Sequence, residues 1–257
     1  MFDVTLSSDR AVNIDGSSEG TQLKFFCDGY WYKQDVSQEG IVEYLVSRML
    51  TFSTLSSKEY ILYEYGKING KNGCRSKNFT NAAKRLITFN QIHLRMTGIR
   101  LSDRMDDYYD MESKIKYVLD FFQRYLAVDI FPYLQKVFTL DLITLNEDRH
   151  FNNLALLIDT TDIENPKYTS APIFDNGKSL LNGCVGYKPA FSLEENVRRV
   201  IAKPFSGSHR KMFDYFGKGF SIDTEQALHW LDTEPYSLHR DVLRFQIERY
   251  RDILGTR

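Results

Sequence analysis

Cysteine is scarce in this chain. Cys27, Cys74 and Cys184 are the only three among 257 residues, too few and too scattered for a disulfide framework or a paired-cysteine metal site. An odd count in a chain this long fits a reducing compartment. Long apolar runs are also missing: no stretch approaches the roughly 18–20 residues that a membrane helix needs. Residues Met1 to Asp9 lack both the basic start and the apolar centre of a secretory signal. Nor is there an excess of either charge. With 33 basic and 34 acidic residues the net charge is −1, so bulk electrostatics gives no pull toward nucleic acid or anionic lipid. These absences predict a soluble, cytoplasmic chain with no direct nucleic-acid partner and no membrane partner. What is present is apolar and aromatic: 42% hydrophobic residues, including 18 Phe and 16 Tyr, predict a packed core. The length allows one large domain or two modest ones.

The chain changes character along its length. Gln22 to Phe26 and Tyr30 to Lys33 read as two strands joined by an Asp28-Gly29 turn. Ile41, Leu45 and Val46 recur at helical spacing, with Met49 and Leu50 extending the stripe. Two more strands are expected at Tyr60 to Lys67 and Cys74 to Phe79, around the Gly- and Asn-rich turn 69–73. From about residue 82 helices dominate. Ile115, Leu119, Phe122 and Leu126 share one face; Pro132 opens the next helix, which carries Asp141 among apolar residues; and Leu238, Val242, Phe245 and Ile253 mark a last one, stopped by Gly255. Within this helical region, a pair of short apolar runs, Leu154 to Ile158 and Ala171 to Phe174, reads as a hairpin with a long polar loop.

Polar residues flank the open ends of that hairpin. Asn146-Glu147-Asp148-Arg149-His150-Phe151-Asn152-Asn153 precedes the first run and Asp175-Asn176-Gly177-Lys178 follows the second. Opposed residues of an antiparallel pair lie about 4.5–5.5 Å apart, so the hairpin would make Asn153 and Asp175 neighbours, with Asp148 a few residues back. Two carboxylates and a carboxamide form a hard-oxygen set suited to Mg²⁺ on nucleotide phosphates. Asp, Asn and Gly are also ordinary turn residues; it is the conjunction of Asp-Arg-His-x-x-Asn, strand, loop, strand and Asp-x-Gly that points to chemistry. His209, His229, His239 and Cys184 have no metal-like or nucleophile-like neighbours and read as structural or exposed.

Asp148-Arg149-His150-x-x-Asn153, followed by Ile173-Phe174-Asp175-Asn176-Gly177, resembles the catalytic and metal-binding loops of the HipA-like and CtkA-like bacterial serine/threonine kinases. The first loop is also similar to that of phosphoinositide kinases. Ile87-Thr88-Phe89-Asn90-Gln91-Ile92-His93 has the flavour of the same group, whose full-length toxins carry an N-terminal segment without an obvious match in this sequence. The resemblance implies an α+β, two-lobed protein-kinase-like fold: a small β-rich N-lobe over residues 1–80 and a larger helical C-lobe over 81–257. It implies ATP and Mg²⁺, a protein Ser/Thr acceptor, and an antitoxin or regulatory partner of a toxin or effector.

Roles follow from the physics of phosphoryl transfer, which is mostly positioning and charge neutralisation. Asp148 would orient the acceptor hydroxyl, and Asn153 and Asp175 would hold the metal. The five-residue step from Asp148 to Asn153 equals that of the protein-kinase catalytic loop. His150 follows the Asp here, which suits a supporting anchor better than a base. Arg149 has two readings, a charge-balancing contact and a structural ion pair. Lys33 resembles the strand lysine that binds the α- and β-phosphates, with Lys24 as rival; Glu43 would pair with it, with Glu39 as competitor. Gly16, Ser17, Ser18 and Gly20 form a candidate phosphate-covering loop, in which Ser17 and Ser18 are candidate autophosphorylation sites. Phe79 lies in the stretch expected to meet adenine. Competing readings of the same residues are a small-molecule or lipid kinase, a nucleotidyl transferase, and a nucleotide-binding module that acts through partner contacts.

Overall fold

The computed structural model describes residues 1–7, 11 and 22–255. Its first sheet is built from β1 (Phe2–Val4), β2 (Lys24–Cys27), β3 (Tyr30–Gln34), β4 (Tyr63–Ile68) and β5 (Lys71–Lys77), in the order β1-β4-β5-β3-β2. Only the β1–β4 pair among these is parallel. Two tight hairpins set the register. Asp28 and Gly29 have φ of 50° and 76°, and Asn69 and Gly70 have 51° and 76°, the left-handed pairs that two-residue turns between twisted strands require. The second turn is therefore shorter than the Gly-rich sequence suggests. Lys71 to Gly73 already belong to β5, where Gly73 is needed for a different reason: a Cβ there would come within 2.4 Å of the Lys33 carbonyl oxygen.

Between β3 and β4 runs α1 (Glu39–Leu50). Its Val42, Leu45, Val46, Met49 and Leu50 are all buried in the main core, together with side chains of the later helices. The helix is thus clamped between the sheet and the helical region. Its approach to the sheet is close enough that a Cβ on Gly40 would meet the Gly73 carbonyl carbon at 2.7 Å.

A second sheet follows, in the order β6-β7-β8, all antiparallel. Strand β6 (Lys84–Thr88) departs from the sequence-based expectation, which gives this stretch to helices. Thr88 ends it and caps α2 (Phe89–Thr97), trading side-chain and backbone bonds with Gln91. Then come α3 (Leu101–Arg104), a 3₁₀ turn at Met105–Asp107, α4 (Met111–Leu126) and α5 (Phe131–Thr144). Buried Ile115, Val118, Phe121 and Phe122 form the inner face of α4, a slight rotation from the predicted stripe. Strands β7 (Ala155–Asp159) and β8 (Lys167–Ser170) make the hairpin. Its second strand is the polar Lys167–Ser170 and not Ala171 to Phe174. The apolar run is buried for another reason: Ile173 lies beside Tyr60 in a parallel bridge, exchanging backbone bonds with Glu59 and Ile61 at 2.8 and 3.0 Å. Short helices α6 (Leu193–Val197) and α7 (His209–Phe216) lead to α8 (Thr224–Thr233), α9 (Leu238–Arg249) and α10 (Arg251–Leu254), with the predicted last helix broken at Tyr250. The class is α+β, a β-rich region and a larger helical one, as the motifs imply. Among the described residues no helix is long and apolar enough to cross a membrane.

Two outcomes test the seat of α1. Gly40→Ala gains about 1 kcal/mol of helix propensity but forces a contact whose overpacking costs about 1–3 kcal/mol; urea denaturation should show a net loss. Asp35 accepts a 2.7 Å bond from the Gly40 amide, yet burial, with Glu39 and Glu43 adding to it, raises its carboxyl from 3.8 to about 6. Between those values the folded chain holds a proton that the unfolded chain has released, so stability falls as pH rises through the window. Asp35→Asn should flatten that slope in denaturation midpoints measured from pH 4 to 7.

Candidate active site

Strand β3 carries Lys33 between buried Tyr32 and Gln34, so alternation turns its side chain to the face opposite theirs. There its ammonium donates to Glu43 Oε1 at 3.1 Å and to Asp175 Oδ1 at 3.0 Å. Burial opposes the charged form of Lys33, but Asp175, then Tyr63 and Glu43, outweigh it and hold the pKa well above the usual lysine value. Glu43 projects from α1 and is almost fully buried. Its second oxygen accepts the Asn176 amide at 3.0 Å. Burial pushes its carboxyl up, against the pull of Lys33, whereas for Asp175 the two lysines 33 and 24 overcome burial and hold the carboxyl down, at about 2. Asp175 therefore keeps its negative charge, with 23% of its side chain still exposed.

The rivals occupy other places. Glu39 accepts the amides of Val36 and Ser37 at 3.1 and 2.8 Å and the Lys178 ammonium at 3.2 Å. Lys24 stands directly across from Lys33 in the β2–β3 register. Burial and then Lys33 lower its pKa, while Asp175 and Glu43 act in the opposite sense; it shares the electrostatic neighbourhood of the pair without replacing it.

The second loop starts where α5 ends, at Leu145 with φ of 58°. Asn146 Oδ1 accepts the Asp148 amide at 2.9 Å, and the buried His209 ring donates from Nε2 to the Asn146 carbonyl at 2.9 Å. Asn153 Nδ2 then donates to the Asp148 carbonyl at 2.9 Å. The Asp148 carboxylate itself is 41% exposed, with Lys203 Nζ at 3.3 Å from one oxygen and His150 Nε2 at 3.8 Å from the other.

Arg149 joins the two loops. It is completely buried and its guanidinium pairs with Asp141 of α5 at 3.0 Å, so of its two sequence readings the structural pair is the one present. The remaining donors reach Phe174 O at 2.8 Å, Asn153 O at 3.4 Å and Asn176 Oδ1 at 2.7 Å. Together with the bonds from Asn146 Nδ2 to Asp175 O at 3.5 Å and from the Glu147 amide to Lys178 O at 3.2 Å, this side chain brings the Asn153 and Asp175 segments together, which the hairpin register does not do: the pairing runs Leu156 to Ser170, and strand geometry ends before either residue.

One atom is conspicuous. Asn153 Oδ1 is buried and has no hydrogen-bond partner within the protein, which leaves it available to a water or an ion. Among the described residues no group of three His, Cys, Asp or Glu is placed to hold a metal. The oxygens available are an amide and a carboxylate, a donor set that fits Mg²⁺ completing its shell with phosphate and water. Asp175 sits in the left-handed region at φ 58°, and Leu180 and Leu181 follow at 55° and 65°.

Of the remaining predicted residues, Phe79 lies just beyond β5, half-buried between Ile61, Tyr63 and Cys74 on one side and Ala155, Leu157 and Ala171 on the other. Gly16, Ser17, Ser18 and Gly20 lie outside the described residues. A cavity of about 970 Å³ borders α1 near Arg48, Trp230 and Tyr236 and touches neither Lys33 nor Asp148, so it is the polar geometry that marks the site. Sequence reasoning gave no site role to Asp141, Asn176 or Lys203, and His209, read there as structural or exposed, is buried and supports the loop. Asp141 carried a signal, a carboxylate on the buried stripe of a helix that demands a partner; Asn176 and Lys203 carried none.

The α+β architecture, with the Lys33–Glu43–Asp175 group at the sheet and Asp148 and Asn153 in the helical region, defines a kinase-like two-lobe fold. Among solved structures, a proinflammatory kinase of Helicobacter pylori, CtkA, matches 91% of this chain and 90% of its own length with a TM-score of 0.63 at 16% identity. HipA of Shewanella oneidensis MR-1, from a toxin–antitoxin complex with HipB and operator DNA, matches 97% of this chain and 67% of its own at a TM-score of 0.45 and 11% identity. No family model matches, and no curated protein does. The CtkA likeness establishes a shared fold.

Removing Arg149 tests its joining role. Arg149→Met leaves Asp141 buried and unpaired and should cost about 3–5 kcal/mol in urea denaturation. Arg149→Met combined with Asp141→Leu should recover most of that stability, yet show faster amide hydrogen exchange at residues 146–153 and 175–178, because the two loops lose their common donor.

Proposed function

We propose that the chain is an ATP- and Mg²⁺-dependent kinase that transfers the γ-phosphate to Ser or Thr hydroxyls of proteins. The observation that carries this reading is the Lys33 ammonium held at once by Glu43 and Asp175, while Arg149 ties the segment of Asp175 to that of Asn153, whose buried amide oxygen has no partner. Lys33 would bind the α- and β-phosphates, kept in place by Glu43. Asn153 and Asp175 would hold Mg²⁺, which when bound neutralises charge on the phosphate oxygens. Asp148 would accept a hydrogen bond from the acceptor hydroxyl and aim it in line with the γ-phosphorus. The N-lobe, residues 1–80, and the C-lobe, 81–257, would close on the nucleotide. The protein acceptor, autophosphorylation at Ser17 or Ser18, and a toxin or effector role with an antitoxin or regulatory partner rest on the motif resemblance.

The test is incubation with γ- or α-labelled ATP and Mg²⁺. Wild type should transfer γ-label to protein, and Asp148→Ala should lose it by about 10²–10⁴-fold, with Asp175→Ala also inactive. Label retained in both variants would overturn the site. Label arriving from the α-position would make the reaction nucleotidyl transfer, and label appearing only on small molecules or lipid would remove the protein acceptor.

A further inference from the structure

In the Asp148–Asn153 loop the only cationic side chain besides the titratable His150 is Arg149, and it is buried and committed to Asp141, Asn176 and the loop carbonyls. Lys33 faces Glu43 and Asp175, on the nucleotide side. On the acceptor side a cation arrives from a distant segment: Lys203 Nζ lies 3.3 Å from Asp148 Oδ1.

The backbone of that segment is anchored on both flanks. Ala202 and Phe205 are buried. The Phe205 ring packs at 5.6 Å from Phe151, inside the Asp148–Asn153 loop, and at 5.8 Å from Phe138 of α5. The Ile201 amide donates to Glu147 Oε1 at 3.3 Å, next to Asp148, and the Ala202 amide to Gly207 O at 3.1 Å. Between these anchors the Lys203 side chain is 53% exposed. An ion pair so exposed adds little to stability. A cation whose backbone is already held beside the reacting carboxylate is a preorganised partner for negative charge that develops there.

We propose that Lys203 is a catalytic cation of this site, engaging Asp148 in the nucleotide-free protein and an oxygen of the γ-phosphoryl group once the triphosphate is bound and through its transfer. The inference rests on the kinase reading above. An acceptor hydroxyl bound to Asp148 would lie about 2.6–3.2 Å from its carboxylate, and the γ-phosphorus about 3–3.5 Å beyond in a near-attack arrangement, within the sweep of a lysine already touching that carboxylate. As transfer proceeds, the bond from the acceptor oxygen to the γ-phosphorus forms, the bond from that phosphorus to the β–γ bridging oxygen breaks, and ADP leaves with the bond's electron pair. The hydroxyl proton passes to Asp148. Lys203 neither gives nor takes a proton in this step, and Asp148 returns to the carboxylate by releasing the proton to solvent.

The experiment compares wild type, Lys203→Met and Lys203→Arg, first confirming equal thermal melting. Calorimetry with Mg²⁺ measures affinity for ADP and for a non-hydrolysable ATP analogue, a readout that needs neither turnover nor a known acceptor. Wild type should prefer the triphosphate; Lys203→Met should lose about 10-fold of that preference with ADP affinity unchanged, and Lys203→Arg should retain most of it. At saturating ATP, γ-label transfer should fall about 10²-fold in Lys203→Met and recover partially in Lys203→Arg. A Lys203→Met protein with wild-type preference and rate overturns the proposal while leaving the kinase reading intact. A wild type that binds neither nucleotide overturns the kinase reading, and this inference with it.

Discussion

A guanidinium with no access to water must find all its partners inside the protein, and Arg149 finds them on three segments. Asp141 neutralises it from α5, the Asn153 carbonyl receives it from its own loop, and Phe174 and Asn176 receive it from the loop after the hairpin. The two polar loops meet on this shared side chain, with the Asn146 and Glu147 bonds to Asp175 O and Lys178 O beside it. Nothing in the strand pairing would do this, since β7 begins after Asn153 and β8 ends well before Asp175.

The upper half of the site hangs on the same loop. Glu43 gives one carboxylate oxygen to Lys33 and the other to the Asn176 amide, while the Asn176 side chain accepts from Arg149. A chain of direct contacts thus runs from β3 through α1 to α5. Because the apolar face of α1 is buried in the main core, the helix that carries Glu43 is positioned by the larger lobe of the molecule as much as by the sheet beside it. Such a network is cooperative: a shift of α1 is felt at Asp175 through Lys33 and the Asn176 amide.

Much of this was legible from residue order. The Asp148, Asn153 and Asp175 motifs stand out because their spacing and flanking strands occur together, and the turn at Asp28-Gly29 follows from backbone sterics, whereas the turn expected over 69–73 closes in two residues, Asn69 and Gly70. The choice of Glu43 over Glu39 was not fixed by spacing alone, since both lie near the start of one helix; a local cap on Val36 and Ser37 claims Glu39. The hairpin was misread because Ala171 to Phe174 is apolar. Burial explains that composition, but the burial comes from packing against the Glu59–Ile61 segment and not from pairing with β7. Strand β6 was missed because only the presence of β7 makes Lys84–Thr88 extended. His209 and Lys203 approach the loop from more than fifty residues away in sequence, and no local pattern encodes such a contact.

The backbone around the site is bent into left-handed conformations at Leu145, Asp175, Leu180 and Leu181, and the three leucines there, unlike Gly, pay about 1–2 kcal/mol each for it. What retains them is burial: all three are 5% exposed or less. The loops that carry the polar groups are therefore sprung, held shut by leucines seated in the hydrophobic core. Loosening that core, by heat or by a distant cavity, would release the bends before the helices melt. The arrangement of these polar groups is consequently a more sensitive gauge of core integrity than the helical content.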